Sequence, residues 1–359
     1  VSLRLVRLSS SMHFIQTFVF TMTGIAAISH FRTWWVLLPS YAMASIMASL
    51  PGVLGVWKAV GSELNRVEGS TRRSMWSRVV PFALTVWCMN LLTNMFDLSD
   101  RYMLLHLSQL GSEAGQAVVG QFYCGRILPN LLLSLGMMVG GIILPYLSAD
   151  WERKWMDKIS DSMNNLLIVL SFVFSTISLL GIAASPLLFE WLLYGRYQPA
   201  AEILPLGMTL ACWSAMTAVA AAYLLCAEKG RQTAALTALC LIVNIALNYP
   251  LILWMGLFGA ALATTVTNGL LLLLVLWRVN REGCFIRGRT FFIVSLPLSL
   301  SLGTTVAACL LMVLAVLCGR TNLLLSDQDR EKIDQLLIPY CKKLGLPIVS
   351  LWTTGAGTG

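Results

Sequence analysis

The chain has 359 residues, of which 57% are hydrophobic and only 12% are charged. Soluble domains carry about 25% charged residues, so half that share excludes an ordinary water-facing globule. The net charge of +8 raises nucleic acid as a partner, but the basic residues stand between apolar runs without clustered aromatics, which excludes that reading.

Apolar runs of about twenty residues recur along the chain, the length a helix needs to cross roughly 30 Å of hydrocarbon. Spans are predicted over 12–31, 34–57, 79–99, 118–147, 163–192, 201–226, 232–253, 256–279 and 291–318. The expected fold class is therefore all-α, a polytopic transmembrane helix bundle of about nine spans. Pro297 lies inside the last run and can break it, so 291–325 reads as one further helix or as a hairpin. The chain begins at Val1 rather than Met, with Arg4 and Arg7 close behind and no signal-peptide pattern, which reads as a fragment or as a reading frame that has lost its beginning.

The loops sort by charge. Lys58, Arg66, Arg72, Arg73, Arg78, Arg153, Lys154, Lys158, Lys229, Arg231, Arg278, Arg281, Arg287 and Arg289 fall on one side of the predicted alternation. Only Arg32, Arg101 and Arg196 fall on the other. The positive-inside rule makes the first side cytoplasmic and places the chain start there too. The expected location is the cell inner (cytoplasmic) membrane, multi-pass. In the cytoplasmic stretch 150–159, Trp151, Trp155 and Ile159 recur at helical spacing among charges, which predicts an interfacial helix or a solvated linker. A further helix is predicted to start near Ser326, in a charged tail over 326–359. Parity over nine spans puts that tail outside, whereas its charges suit the cytoplasm.

Nine cysteines and three histidines show no C-x-x-C and no Cys/His pairing, which reads as reduced structural thiols with no metal and no cofactor. Charged groups inside spans are costly and therefore mark function. Asp97, Asp100 and Arg101 stand at the end of the third run, Arg126 near the start of the fourth, and Glu190 at the end of the fifth. Asp97 and Arg101 are four apart, which allows a structural ion pair along one helix. The acids alternatively serve as a cation site or gate. Arg126 has no partner three or four residues away, so it needs one from another helix or from a ligand, and its guanidinium fork suits phosphate. Glu190 reads as interfacial. Asn90, Asn94, Asn130, Asn244, Asn248 and Asn268 line a cavity or bond between helices, and the Gly136/Gly140 and Gly256/Gly259 pairs allow close approach. Pro129, Pro145, Pro205 and Pro250 can kink their helices.

Several stretches carry a family resemblance. Asp100-Arg-Tyr-Met-Leu-Leu, Val119-Gly-Gln-Phe-Tyr-Cys-Gly-Arg-Ile and Ile143-Leu-Pro-Tyr-Leu-Ser follow one another, and Trp76-Ser-Arg-Val-Val-Pro-Phe-Ala-Leu precedes them. Ala227-Glu-Lys-Gly-Arg, Val243-Asn-Ile-Ala-Leu-Asn and Gly256-Leu-Phe-Gly-Ala-Ala-Leu-Ala-Thr come later. In order and spacing, these resemble the seventh to twelfth helices of polysaccharide biosynthesis (Wzx-like) flippases. That group is a branch of the multidrug/oligosaccharidyl-lipid/polysaccharide (MOP) exporter superfamily.

The resemblance covers residues 70–280 and implies two helical lobes around a central cavity, of which this chain lacks about four N-terminal helices. It divides the chain into 1–78 (the last two helices of a truncated first lobe and a linker), 79–290 (a six-helix second lobe), 291–325 and 326–359. It implies a monomer that flips an undecaprenyl-pyrophosphate-linked oligosaccharide among membrane lipids for polysaccharide or O-antigen export. In that reading Arg126, Arg101, Tyr123 and Asn94 line the substrate cavity, while Asp97 or Asp100 couples to H+ or Na+. A lipid II flippase or a multidrug/cation antiporter of the same superfamily is the alternative. A membrane-embedded glycan polymerase or ligase is the alternative of another class; the short predicted external loops and the lack of an acid pair or Ser/His/Asp set speak against an enzyme.

Overall fold

The structure is a computed structural model that describes residues 6–60, 69–107, 112–195 and 197–320. The predicted helix near Ser326, the tail, Arg4, Arg66 and Arg196 lie outside these residues. The chain divides into two units, residues 1–81 and 82–359.

In the first unit, α1 (Val6–Phe31) and α2 (Leu37–Val60) form a helical hairpin through a short turn at Trp34–Val36. Ser40, Ala44, Ala48 and Gly52 stand four residues apart on α2 and are all buried. That stripe of small side chains lets the two backbones approach, which is how apolar helices associate where water supplies no driving force. A Cβ on Gly52 would lie 2.7 Å from the Met12 sulfur. Gln16 donates to Ser45 at 3.1 Å, and Phe20 meets Tyr41 edge-on.

Helix α3 (Gly69–Leu107) runs into the second unit. There follow α4 (Ser112–Gly125), α5 (Ile127–Glu152) and α6 (Met156–Pro186), whose end loosens into a wide turn at Leu187–Leu192. Helices α7 (Gln198–Cys226) and α8 (Gly230–Arg281) complete the long elements. Among the described residues, seven helices are long and apolar enough to cross a membrane, and the fold is a polytopic helical bundle. Helix α7 is the most enclosed of the seven, and α5, α6 and α8 pack around it. Gly136 is required there, because a Cβ would sit 2.2 Å from that of Ala215; at Gly140 the spacing to Ala218 is ordinary.

A straight helix of the 52 residues of α8 would measure about 78 Å. It is not straight. Gly256 adopts φ 56°, ψ −126°, a conformation closed to other residues, and folds α8 into two arms. Asn244 and Thr264, twenty residues apart, are hydrogen-bonded at 3.3 Å across the fold. Gly259 makes the fold possible, since a Cβ there would lie 1.9 Å from the Leu251 carbonyl oxygen. The predicted spans 232–253 and 256–279 are these two arms.

The structure decides between the readings of 291–318, and two other expectations need correction. The run 291–318 is not one helix but α9 (Gly288–Val294), α10 (Leu298–Ser301) and α11 (Thr304–Arg320), interrupted at Pro297 and at Gly303 with φ 119°. Side chains of neighbouring helices take up carbonyls at the interruption: Ser171 donates to Ile293, Trp213 to Val294 and Thr209 to Pro297. This is how broken backbone is tolerated at membrane depth. The segment 100–117 between the third and fourth predicted spans is largely helix, because α3 continues to Leu107 and α4 starts at Ser112. The stretch 150–159 is not an interfacial helix: α5 ends at Glu152, Lys154 turns the chain at φ 58°, and α6 starts at Met156. Trp151 packs edge-on against Tyr223, while Trp155 stays half-exposed beneath Arg153 and Lys158.

The loops after α5, α7 and α8 gather at one end of this unit. Tyr223 donates to the Glu282 carbonyl at 2.8 Å, and Glu282 pairs with Arg278 and Lys229. Asn164 accepts from the Arg287 N–H and from Thr290 and donates to the Phe285 carbonyl, while Arg287 pairs with Asp161. Burial pushes the Cys284 thiol in this loop up to about 11, so it stays protonated and inert near neutral pH. The cysteines with described side chains are free thiols.

Candidate functional site

The last turns of α3 carry Asp97, Asp100 and Arg101. Residues three apart on a helix share a face, and Asp97 and Asp100 both turn inward, though to different depths. Asp100 is completely buried. Each of its oxygens accepts from one arm of the folded α8: Asn248 Nδ2 at 2.7 Å on Oδ1 and Thr264 Oγ1 at 2.9 Å on Oδ2. The fold at Gly256 is what brings these two donors to one carboxylate.

Around Asp100 the polar atoms form a closed set. Asn248 Nδ2 also reaches Asn244 Oδ1 at 3.1 Å, Asn244 Nδ2 reaches Thr264 Oγ1 at 3.3 Å, and Ser99 donates to Asn244 at 3.4 Å. Thr264 Oγ1 lies 2.9 Å from the Ala260 carbonyl as well; its single proton serves that carbonyl or Asp100, not both. Asn248 Oδ1 is buried with no hydrogen-bond partner among the described residues. No Lys, Arg or His among them lies within ion-pair distance of Asp100. The Asp100 carboxylate is thus met by an amide N–H and a hydroxyl, neutral donors in an apolar bundle. A charge so buried is costly without a counter-charge, which a proton or a small cation would supply.

Arg126 sits at the junction of α4 and α5. Its N–H closes a tight turn onto Tyr123 at 3.1 Å, and Gly125 before it has room for no side chain, since a Cβ would meet Ile203 at 2.8 Å and the Ala200 carbonyl at 2.9 Å. The guanidinium bonds Asp97 through one contact, Nη1 to Oδ1 at 2.7 Å, and lies 5.3 Å from the Phe122 ring. Beside it is a small, almost wholly apolar pocket walled by Phe122, Ile203 and Gly207 and edged by Arg126, Thr264 and Thr265. Thr264 belongs to both this pocket and the Asp100 cluster.

The predicted i, i+4 pair between Asp97 and Arg101 does not form. Asp97 turns to Arg126 across helices, and Arg101 instead lies 4.3 Å above the Tyr123 ring, which is itself partly exposed. Asn94 is exposed and donates to the Asn90 carbonyl of its own helix, so it joins neither cluster. Glu190 is exposed in the turn after α6. Asn244 and Asn248 do bond between helices, as Asn268 does with Ser214.

Comparison with protein-family models, with curated proteins and with solved structures finds no match. The site stands on its own geometry.

Sequence reasoning missed Ser99 and Thr264 as members of the site. The signal present in the sequence was the polar run Thr264-Thr265-Val-Thr267-Asn268 within an apolar helix, together with Asn244 and Asn248 four apart.

Proposed function

We propose that the protein is a flippase-type transporter that moves a lipid-linked, pyrophosphate-bearing oligosaccharide between leaflets of the cell inner membrane. The observation that carries this reading is one side chain shared by two sites: Thr264 lines the Arg126 pocket and bonds Asp100. A guanidinium in a mostly apolar pocket suits a phosphate ester with a lipid tail, because it offers a planar fork of donors that water alone cannot match there. Arg101, above Tyr123, adds a second cation for sugar acids or phosphate. A buried acid without a basic partner suits a coupling ion, H+ or Na+. Both ligands engage the folded α8, so each can bias its position and therefore the affinity for the other. The gathered basic loops support a cytoplasmic position for that end of the second unit.

The same buried acid favours a second reading, a cation-coupled antiporter of small organic cations, in which Asp100 is the exchange site and Arg126 is structural. Reconstitution decides between them. The full chain in proteoliposomes is given a fluorescent undecaprenyl-pyrophosphate disaccharide, and leaflet exposure is followed under a sodium or proton gradient. Wild type is expected to flip the lipid, Arg126→Gln to lose flipping, and Asp100→Asn to lose the gradient response. Flipping by Arg126→Gln at the wild-type rate would sink the flippase reading; gradient-driven efflux of an organic cation without flipping would establish the second.

A further inference from the structure

We propose that Asp97 is a built-in competitor for Arg126: it occupies the guanidinium until an anionic headgroup displaces it. The inference rests on Arg126 being the anion site of the proposed function.

Two observations give Asp97 this role. First, burial across the pair is unequal. The Arg126 side chain is 15% exposed, while that of Asp97 is 44% exposed. A carboxylate half in contact with solvent is partly screened and can return to water, so the pair opens more readily than one buried on both sides. Second, the contact is single. Only Nη1 engages only Oδ1, which leaves the rest of the guanidinium fork without an acidic partner among the described residues. A pyrophosphate presents several oxygens and can take two donors at once, so it outcompetes a one-point carboxylate.

Without Asp97, Arg126 would sit nearly buried and unneutralised, which is costly. The acid therefore holds the empty site together and sets a threshold for anions. Weak single anions fail to displace it. A diphosphate on a lipid, which reaches the pocket through its tail, does displace it. Asp97 is a positioning and selectivity residue in this scheme, not one that stays on the ligand.

The test uses the purified full chain in lipid nanodiscs with farnesyl pyrophosphate as the probe and farnesol as the control for tail partitioning. Asp97→Asn is expected to tighten farnesyl pyrophosphate binding roughly tenfold, equivalent to about 1.4 kcal/mol, and to lower the melting temperature of the empty protein. Asp97→Glu, which keeps the charge, is expected to bind as wild type does. Arg126→Gln is expected to lose binding, and the double variant Asp97→Asn/Arg126→Gln to match Arg126→Gln. If Asp97→Asn binds no tighter while Arg126→Gln still loses binding, Asp97 is a structural anchor and the inference falls with the anion site intact. If Arg126→Gln binds as wild type does, the anion site itself is lost, and this inference goes with it.

Discussion

The second unit treats charge in opposite ways at its two ends. Where the loops after α5, α7 and α8 meet, acids have bases: Glu282 holds Arg278 and Lys229, Arg287 holds Asp161, and Lys158 holds Asp150. Around the C-terminal end of α3, Asp100 has only neutral donors, and the neighbouring pair Asp97–Arg126 is joined by one contact. Charges that are neutralised inside the protein tie elements together. A charge left without a counter-ion in an apolar bundle is costly unless something mobile completes it. On the proposed function the two ends differ in purpose, and that difference can be broken experimentally.

The largest effect is expected from Gly259→Ala. The new methyl would lie 1.9 Å from the Leu251 carbonyl oxygen, an atom of the opposing arm that cannot yield without opening the fold. Overpacking of that kind costs about 3 kcal/mol or more, and here it would also part Thr264 from Asn244 and Asn248. The melting temperature in detergent should fall sharply, and any stabilisation by sodium or protons should vanish. Gly288→Ala, at the paired end, meets nothing within 4 Å and should leave both readouts unchanged. Equal effects of the two substitutions would erase the contrast.

Asp100→Asn comes next. A ligand present at a hundred times its Kd stabilises a protein by about 2.7 kcal/mol, so the melting temperature of the wild type should climb with added coupling ion, and that of the variant should not. In ion-free buffer the variant should melt at the wild-type temperature or higher, because a buried charge has been removed, and Thr264 can turn its proton to the Ala260 carbonyl and accept from the new NH2. A lower melting temperature in that buffer would mean that the carboxylate is structural.

The helical, membrane-spanning character of the molecule was legible from hydropathy alone, because length and apolarity are local properties that the bilayer reads in the same way. The residues Asp97, Asp100 and Arg126 were legible as well, since charge within an apolar run stands out wherever it is. Their partners were not. Helical spacing favours Asp97 with Arg101, yet the across-helix pair with Arg126 wins, because the junction at Gly125 carries Arg126 against α7 and within reach of α3. Thr264 reaches Asp100 only because Gly256 reverses α8, and a reversal of that sort is visible in sequence merely as a glycine between two apolar runs. The interruption at Pro297 was foreseeable. The hydroxyls of Ser171 and Thr209 that make it tolerable look, in sequence, like any other small polar residue of a membrane helix.

Thr264→Val separates the shared side chain from its two tasks. The shape is kept and one hydrogen bond to Asp100 is lost, a change of about 1–2 kcal/mol in the ion-bound state. Ion-dependent stabilisation should shift to roughly tenfold higher ion concentration. Binding of farnesyl pyrophosphate at Arg126 should keep its ion-free affinity but lose its dependence on the ion. If the ion response is unaltered, Thr264 is a wall of the pocket and nothing more, and the link between the two sites goes.

The smallest effect is expected from Glu282→Gln, and its sign matters more than its size. Glu282 is largely buried, with Arg278 and Lys229 more exposed on either side. Screening limits what those pairs contribute, so the loss should be about 1 kcal/mol or less. The amide oxygen can still accept from Arg278, but two cations are left without their acid, and the melting temperature should drop slightly. Neutralising an acid thus lowers stability at the paired end, while neutralising Asp100 leaves or raises it. Both proteins should be measured in the same ion-free buffer, with the ion titration repeated on each; Glu282→Gln should follow the wild-type titration throughout. An ion response altered by Glu282→Gln would place part of the coupling at the loop end and dissolve the distinction between charges that fasten and a charge that waits for its ion.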